Sequence, residues 1–426
     1  MLKRAIFKNI TQIEKLKDFG PSIRYAGPMM DEKEIIAAVD SILEGQVTGW
    51  FGLGKRGAMF EKMLAKYLHV RYSVFTNSGS SANLLAVASL ASRGLINPGD
   101  EAITPATTFP TTINPLLIYG LRLRFVDIIL PSYTIDLQQL KDSITNKTKL
   151  IMIPHLNGSA NDMVSIMEIA RKNNIHVIED CCDAFGSKYD NRYVGTFGDL
   201  STFSFYVAHH FTTGEGGAVA ANSDDLHSTA RSLRDWGRAP VVDRAEKKRK
   251  LSYQKVSGKL PSDYEARYTY VNVGYNLKPL DLQGAIGIVQ LRKVAQFSRA
   301  RKKNYQFFYN ALQKYSNSLV LPAGLEGADN SWFVFPIVIS DRAKFTRKDI
   351  VEFLERRGIE TRPILAGNIT KHPAYSKYSF GQSNDLANSE KVLRSGFFIG
   401  TYPGILAEQR RTIVNAFSDF FKTVSD

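Results

Sequence analysis

Residues 175–184 read Ile175-His176-Val177-Ile178-Glu179-Asp180-Cys181-Cys182-Asp183-Ala184, a short apolar strand that ends in two adjacent carboxylates. Just upstream, Val164 to Lys172 carries helical spacing, so the segment reads as a helix feeding a buried strand. Working outward, the alternation repeats. Strands are expected at 73–76, 101–104, 123–126, 150–153, 176–178, 200–205 and 217–221. Helices are expected over Asp31 to Leu43 with Gly45 as a stop, around Phe60 to Leu68, and through Ala82, Leu85, Ala86 and Leu90. Strands alternating with helices imply an α/β protein with a mostly parallel sheet covered on both faces. Ligands of such sheets bind beyond the carboxyl ends of the strands. Here those ends carry polar groups: Asn77 to Ser81, Thr107 to Thr112, His155 to Asn157, Asp180 to Asp183, and Ser204 to His210.

Past a long helix-like stretch, Leu282 to Phe297, the pattern changes to a strand at Trp332 to Ile339, a helix at Arg347 to Arg357 and a closing helix at Leu406 to Thr423. This predicts an N-terminal arm over 1–30, a large domain over 31–290 and a smaller α+β domain over 291–426. The length of 426 residues suits two to three domains at about 150 residues each. With 44% hydrophobic and 23% charged residues, the disordered, collagenous and coiled-coil classes drop out. Ile113 to Leu130, the most apolar run, is broken by Pro115, Arg122, Arg124 and Asp127, which excludes a membrane span. Lys3, Arg4, Lys8, Glu14, Lys15 and Lys17 leave no apolar core for a secretory signal, so a cytoplasmic protein is expected. The two cysteines are neighbours, which argues against an ordinary disulfide and a cysteine-rich metal site. A net charge of +14 permits nucleic-acid binding, but the basic residues are spread along the chain. The one dense run, Arg244 and Lys247 to Lys250, reads as a solvated face, and nucleic acid is set aside as a partner. A basic surface equally suits an anionic small substrate such as a nucleotide diphosphate.

Asn77-Ser78-Gly79-Ser80-Ser81-Ala82-Asn83 joins a strand to a helix. Free N–H groups and hydroxyls at a helix N-terminus make an anion cradle, and a plain serine-rich cap would look the same. Asp180, at the end of its strand, can hold the protonated nitrogen of a heteroaromatic ring, the pairing on which pyridoxal-type chemistry depends. Ser204 and Gly214-Glu215-Gly216-Gly217 follow at the next strand–turn–strand, where a cofactor lysine would be expected.

Together, Ile178-Glu179-Asp180, Ser204-Phe205-Tyr206, Gly214-Glu215-Gly216-Gly217 and Gly274-Tyr275-Asn276 resemble the DegT/DnrJ/EryC1/StrS sugar aminotransferases over roughly residues 25–426. Cys181-Cys182-Asp183-Ala184, Ala208-His209-His210-Phe211-Thr212, Asn368-Ile369-Thr370 and Phe398 to Gly404 resemble the branch of CDP-4-keto-6-deoxyglucose 3-dehydrases. The resemblance implies the fold type I architecture of pyridoxal-phosphate-dependent transferases, a three-layer α/β/α large domain plus a small C-terminal domain. It implies a homodimer with pyridoxal or pyridoxamine phosphate as cofactor. The family's cofactor lysine is replaced by His209, and no lysine stands between Lys188 and Lys247. That substitution marks the pyridoxamine-phosphate-dependent 3-dehydrases. A histidine cannot link to the cofactor covalently but can move protons near neutral pH.

By the same resemblance Gly79, Ser80 and Ser204 hold the phosphate, with Asn276 reaching it from the partner subunit. Phe109 stacks on the ring and could equally be core, Asp180 pairs with the ring nitrogen, and Asp183 approaches the phenolic oxygen. Arg238 and Asn368 are substrate candidates, while His210 suits either a substrate contact or packing. One departure concerns iron. The CDP-sugar enzyme carries a two-iron two-sulfur cluster on a cysteine-rich segment after a motif like Asp235-Trp236-Gly237-Arg238, whereas Ala239 to Arg244 here contains no cysteine. An all-cysteine cluster needs four thiolates, so no cluster is expected and no metal ligand is assigned. The expected activity is C3 deoxygenation of a nucleotide-linked 4-keto-6-deoxyhexose, with L-glutamate recharging the cofactor. The alternatives are a cluster-free variant that dehydrates or isomerises the sugar without net deoxygenation, and a silent cofactor-binding paralogue.

Overall fold

The computed structural model describes residues 23–239, 259–261, 264, 268–378, 380–382 and 385–424. The basic run near residue 247, most of the expected N-terminal arm and the stretch just after Ala239 lie outside the described residues. The central sheet is built from β1 (Tyr72–Thr76), β2 (Glu101–Pro105), β3 (Arg122–Val126), β4 (Thr148–Pro154), β5 (His176–Asp180), β6 (Leu200–Ser204) and β7 (Gly217–Ala221). Its order is β1-β7-β6-β5-β4-β2-β3, with Gly381–Gln382 added beyond β3. β7 runs antiparallel to both neighbours and the other pairings are parallel.

Period-two alternation along these strands gives the sheet two apolar faces. Leu150, Met152 and Ile178 pack on one face with Leu85, Leu90 and Ile113, from α3 (Gly79–Ser92) and α4 (Pro110–Ile118). Their neighbours Ile151, Ile153 and Val177 pack on the other with Met163, Ile166 and Ile169 of α5 (Met163–Lys172). That second face continues in Phe60, Leu64, Phe75, Phe203 and Leu291. The result is the three-layer α/β/α arrangement.

Two helices differ from expectation. α1 (Glu32–Thr48) opens on a capping box of Asp31 and Glu34 and runs past Gly45 to a left-handed Gly49. Gly45 is a contact residue instead of a stop, since a Cβ there would lie 2.8 Å from the Phe51 ring. The helix expected from Leu282 extends over Asp281–Leu312 (α7, after α2, Lys55–Leu68, and α6, Asp224–Arg234) and carries residue 290 through without a break. Its first residue, Asp281, accepts from the N–H groups of Gly54 and Gly57, both at 2.8 Å, which seats α2 against it. At its other end Phe308 and Leu312 join a second core. That core includes β9 (Val334–Ile339) and β10 (Gly396–Gly400), with β8 (Leu319–Val320) completing an antiparallel sheet, and α8 (Arg347–Arg356) and α9 (Ala407–Val424) covering it. Among the described residues no helix is long and apolar enough to cross a membrane.

Candidate active site

At the carboxyl end of β5 the two acidic side chains part company. Glu179 is fully buried and accepts N–H groups of Gly195, Phe197 and Gly198 at 2.6, 2.7 and 2.8 Å, with His155 Nε2 at 3.2 Å, so it is consumed in anchoring one loop. Asp180 points to the opposite face. One of its oxygens accepts from Asn83 Nδ2 and Thr112 Oγ1, both at 2.8 Å, and the other from the Cys182 N–H at 3.2 Å. Asn83 is itself tied to Thr202 on β6 at 2.5 Å. Three donors from different elements thus fix the orientation of one carboxylate, and lone pairs remain for a further donor. Phe109 directly precedes α4, the helix that supplies Thr112, and is half exposed over this corner.

The turn from β1 into α3 supplies the cradle. Ser78 is the N-cap, its hydroxyl accepting from the Ser81 N–H at 3.0 Å, and Ala82 N–H bonds the Ser78 carbonyl. The N–H groups of Gly79 and Ser80, first in the helix, have no intrahelical acceptor. Ser80 is exposed. A Cβ on Gly79 would meet Ser204 Cβ at 2.5 Å and Ser204 Oγ at 2.8 Å, so only glycine lets the serine hydroxyl approach the helix end. Gly217 is equally constrained, because a Cβ there would lie 2.3 Å from the Ser78 carbonyl oxygen. Gly79, Ser80 and Ser204 therefore converge on one anion-sized cradle.

His209 and Asp183 face each other, with Nδ1 3.7 Å from Oδ1 and both side chains 15% exposed. Burial and then the Asp180 carboxylate push the Asp183 carboxyl up to about 7. Burial and then the Arg301 guanidinium push the His209 imidazole down to about 3. A proton shared by this pair therefore sits on Asp183, the imidazole is neutral, and the contact is not an ion pair. Beside them Asn157 adopts a left-handed backbone, φ 56°. Its carboxamide is fully buried with neither the oxygen nor the nitrogen paired within the protein. Buried polar groups are normally paired, and this one is suited to a polar ligand atom. With the Gly79 cradle and the fixed Asp180 carboxylate, it makes a site that fits a phosphorylated heteroaromatic cofactor.

The remaining expected residues are distributed differently. His210, expected either to touch substrate or to pack, is 4% exposed; its Nε2 meets the Ser331 carbonyl at 2.6 Å, while its Nδ1 is buried with no partner within the protein. Asn368, another substrate candidate, is buried and caps a turn, accepting from Thr370 N–H at 3.2 Å and Oγ1 at 2.7 Å, with Nδ2 3.4 Å from Glu390. Its segment nevertheless borders the site, because the Ala366 N–H bonds the Thr108 carbonyl at 3.2 Å. Arg238 stacks 4.5 Å over Trp236 and lies 3.7 Å from Asp235. Asn276 is exposed, on a stretch bridged to Asp235.

The model of the DegT/DnrJ/EryC1/StrS aminotransferase family matches residues 29–418. The chain belongs to that family. Within the family it is 42% identical to the dTDP-4-dehydro-2,6-dideoxy-D-glucose 3-dehydratase of Saccharopolyspora spinosa, covering 93% of this chain and 86% of the relative. It is 40% identical to the lipopolysaccharide biosynthesis protein RfbH of Salmonella typhimurium, covering 93% and 91%. Its fold superimposes on GDP-4-keto-6-deoxymannose-3-dehydratase carrying a trapped PLP-glutamate geminal diamine, with TM-score 0.84, 32% identity, and 92% and 99% of the two chains covered. The family's aminotransferase fold is thus the fold of this chain. Asn83, Thr112, Asn157 and Arg301 are site residues that the sequence did not single out as such.

Proposed function

We propose that this protein removes the C3 hydroxyl of a nucleotide-linked 4-keto-6-deoxyhexose, with pyridoxamine phosphate as its working cofactor. The observation that carries this reading is His209 facing Asp183 at 3.7 Å where the family's cofactor lysine would stand, in a chain whose relatives include nucleotide-sugar 3-dehydratases. When bound, the cofactor supplies an amine that condenses with the C4 ketone and a protonated ring that accepts electrons. Gly79, Ser80 and Ser204 hold its phosphate, Phe109 covers its ring, and Asp180 holds the ring nitrogen. His209 would hold and move the proton at the cofactor carbon that bears the amine and would return a proton to the departing C3 hydroxyl, which leaves as water. With His209 where a lysine would stand, this chain cannot bind the cofactor covalently. L-glutamate recharges the cofactor, as the glutamate adduct of the related structure suggests. The relatives use different nucleotides, dTDP and GDP, so the base is left open.

A homodimer completes the unit. Its support is an exposed apolar surface: Trp50, Phe51 and Leu280 are brought together by a bridge between Gly52 and Leu280, and Val273, 96% exposed, lies three residues ahead of Asn276.

The test is incubation with a panel of 4-keto-6-deoxy sugar nucleotides, with and without glutamate, followed by mass spectrometry of the product. A product lighter by one oxygen with no nitrogen gained is expected; a product in which the C4 oxygen is exchanged for an amino group and the C3 hydroxyl is retained, or no conversion of any sugar, rejects the reading.

Two further expectations arise here. Gly79→Ala forces the helix end away from Ser204, and overpacking of about 1–3 kcal/mol should weaken pyridoxal phosphate binding about tenfold or more in an absorbance titration. Unchanged affinity would place the phosphate elsewhere. The second concerns iron. Cys181 Sγ lies against Gly195 while Cys182 Sγ lies against Gly79, and burial holds both thiols well above their ordinary pKa. Two thiols that face different glycines cannot supply the four thiolates of an all-cysteine cluster, so the purified protein should contain no stoichiometric iron or acid-labile sulfide; about two irons per chain would overturn this.

A further inference from the structure

We propose that Arg301, on the long helix α7, is a positioning residue for His209, locking the turn that carries it and setting a fixed positive charge against that turn; this rests on the role given to His209 above. Arg301 is 1% exposed. Its Nη1 donates to the Phe333 carbonyl at 2.8 Å and its Nη2 to the His209 carbonyl at 3.0 Å. A single planar fork therefore ties the backbone of the candidate base to the wall it packs against. That wall is held in turn: the Phe333 N–H donates to the Asn157 carbonyl at 2.8 Å, and Thr401 Oγ1 donates to the Trp332 carbonyl at 2.8 Å. The Phe333 ring lies 5.2 Å from the His209 ring, so ring and carbonyl are both referenced to the same residue.

The charge matters as much as the fork. Burying a cation is costly unless it is paired, and a carboxylate is the usual partner. Among the described residues no carboxylate lies within ion-pair distance of Arg301; its donors go to carbonyl oxygens. A guanidinium so placed opposes a second positive charge on the imidazole beside it. The other groups that bear on His209 are Asp183 at 3.7 Å with Asp180 behind it, His210 next in the chain, and Tyr206, whose ring lies 6.3 Å away. Tyr25, on the N-terminal segment, is near enough to feel the charges of Asp183 and Tyr206. Of these, Arg301 is the permanent cation. A lysine would keep the charge but cannot span two carbonyls, and a glutamine would keep a donor without the charge.

The experiment follows histidine titrations by NMR in protein labelled at the imidazole carbons, assigning His209 as the signal missing from His209→Asn. Wild-type His209 should titrate well below the ordinary value near 6.5. Arg301→Gln should raise its midpoint by about one unit or more. Arg301→Lys should leave the midpoint near the wild-type value while lowering deoxygenation about tenfold, through loss of the second charge-assisted hydrogen bond. In the pH profile of kcat/KM, the acid limb should move to higher pH in Arg301→Gln and stay in place in Arg301→Lys. A His209 midpoint unmoved by Arg301→Gln makes Arg301 a merely structural residue and overturns the proposal. If that variant does not fold, a wild-type midpoint near 6.5 overturns it equally. The titration needs no sugar, so a failure of the deoxygenation reading would be seen separately.

Discussion

His209→Asn should lower turnover by about two to four orders of magnitude while pyridoxamine phosphate binding stays near the wild-type level. Asparagine keeps a polar group of similar reach but cannot accept and return a proton near neutral pH. The substitution leaves the surroundings intact, because Arg301 holds residue 209 through its backbone carbonyl and the cradle at Gly79 and Ser204 lies on other elements. The measurement pairs single-turnover conversion, read by mass spectrometry of the sugar, with a fluorescence titration of the cofactor. Near-normal turnover in the variant would put the base elsewhere and remove the main support for the proposed reaction. Loss of cofactor affinity in step with turnover would mean that His209 is a binding residue.

Asp180→Asn should cost about two to three orders of magnitude in kcat, the scale on which preorganised charge stabilisation acts. The asparagine oxygen can still accept from Asn83 and Thr112, but its NH₂ must then face the Cys182 N–H, a donor against a donor. The ring nitrogen loses its anionic partner at the same time. Because Asp180 also raises Asp183, the variant should release the Asp183 carboxyl toward its ordinary range, and the Asp183 titration should move down with the loss of rate. A variant with full activity would show that the ring is held by another group.

Much of this was readable from the chain. The layer order follows from alternating strands and helices, and Asp180, Gly79 and Ser204 stand at the strand ends where an α/β sheet places its ligands. The residues that escaped notice do so for non-local reasons. Asn83 and Thr112 become important only because two helices bring them to the same carboxylate oxygen. Arg301 stands among Arg299, Lys302 and Lys303, and composition cannot tell which member of such a run turns inward. His210 and Asn368 lie within family-like motifs, yet His210 Nε2 meets Ser331 and the Asn368 carboxamide meets Thr370 and Glu390, partners far away in sequence or invisible without the turn geometry. Gly45 looked like a terminator because an aromatic ring packing on a helix leaves the same residue type as a helix end.

The unbroken course of α7 bears on how a sugar nucleotide could enter. At 1.5 Å per residue its 32 residues make a rod of about 48 Å, seated at one end against α2 and embedded at the other in the core beneath β9 and β10. A hinge between the two halves would have to bend this rod or pull one end from its packing, and neither a proline nor a chain reversal is present to ease it. Wide jaw-like opening is thus mechanically disfavoured. Access and water exclusion then fall to small local movements of rim side chains, such as half-exposed Tyr206, whose ring lies 6.3 Å from that of His209.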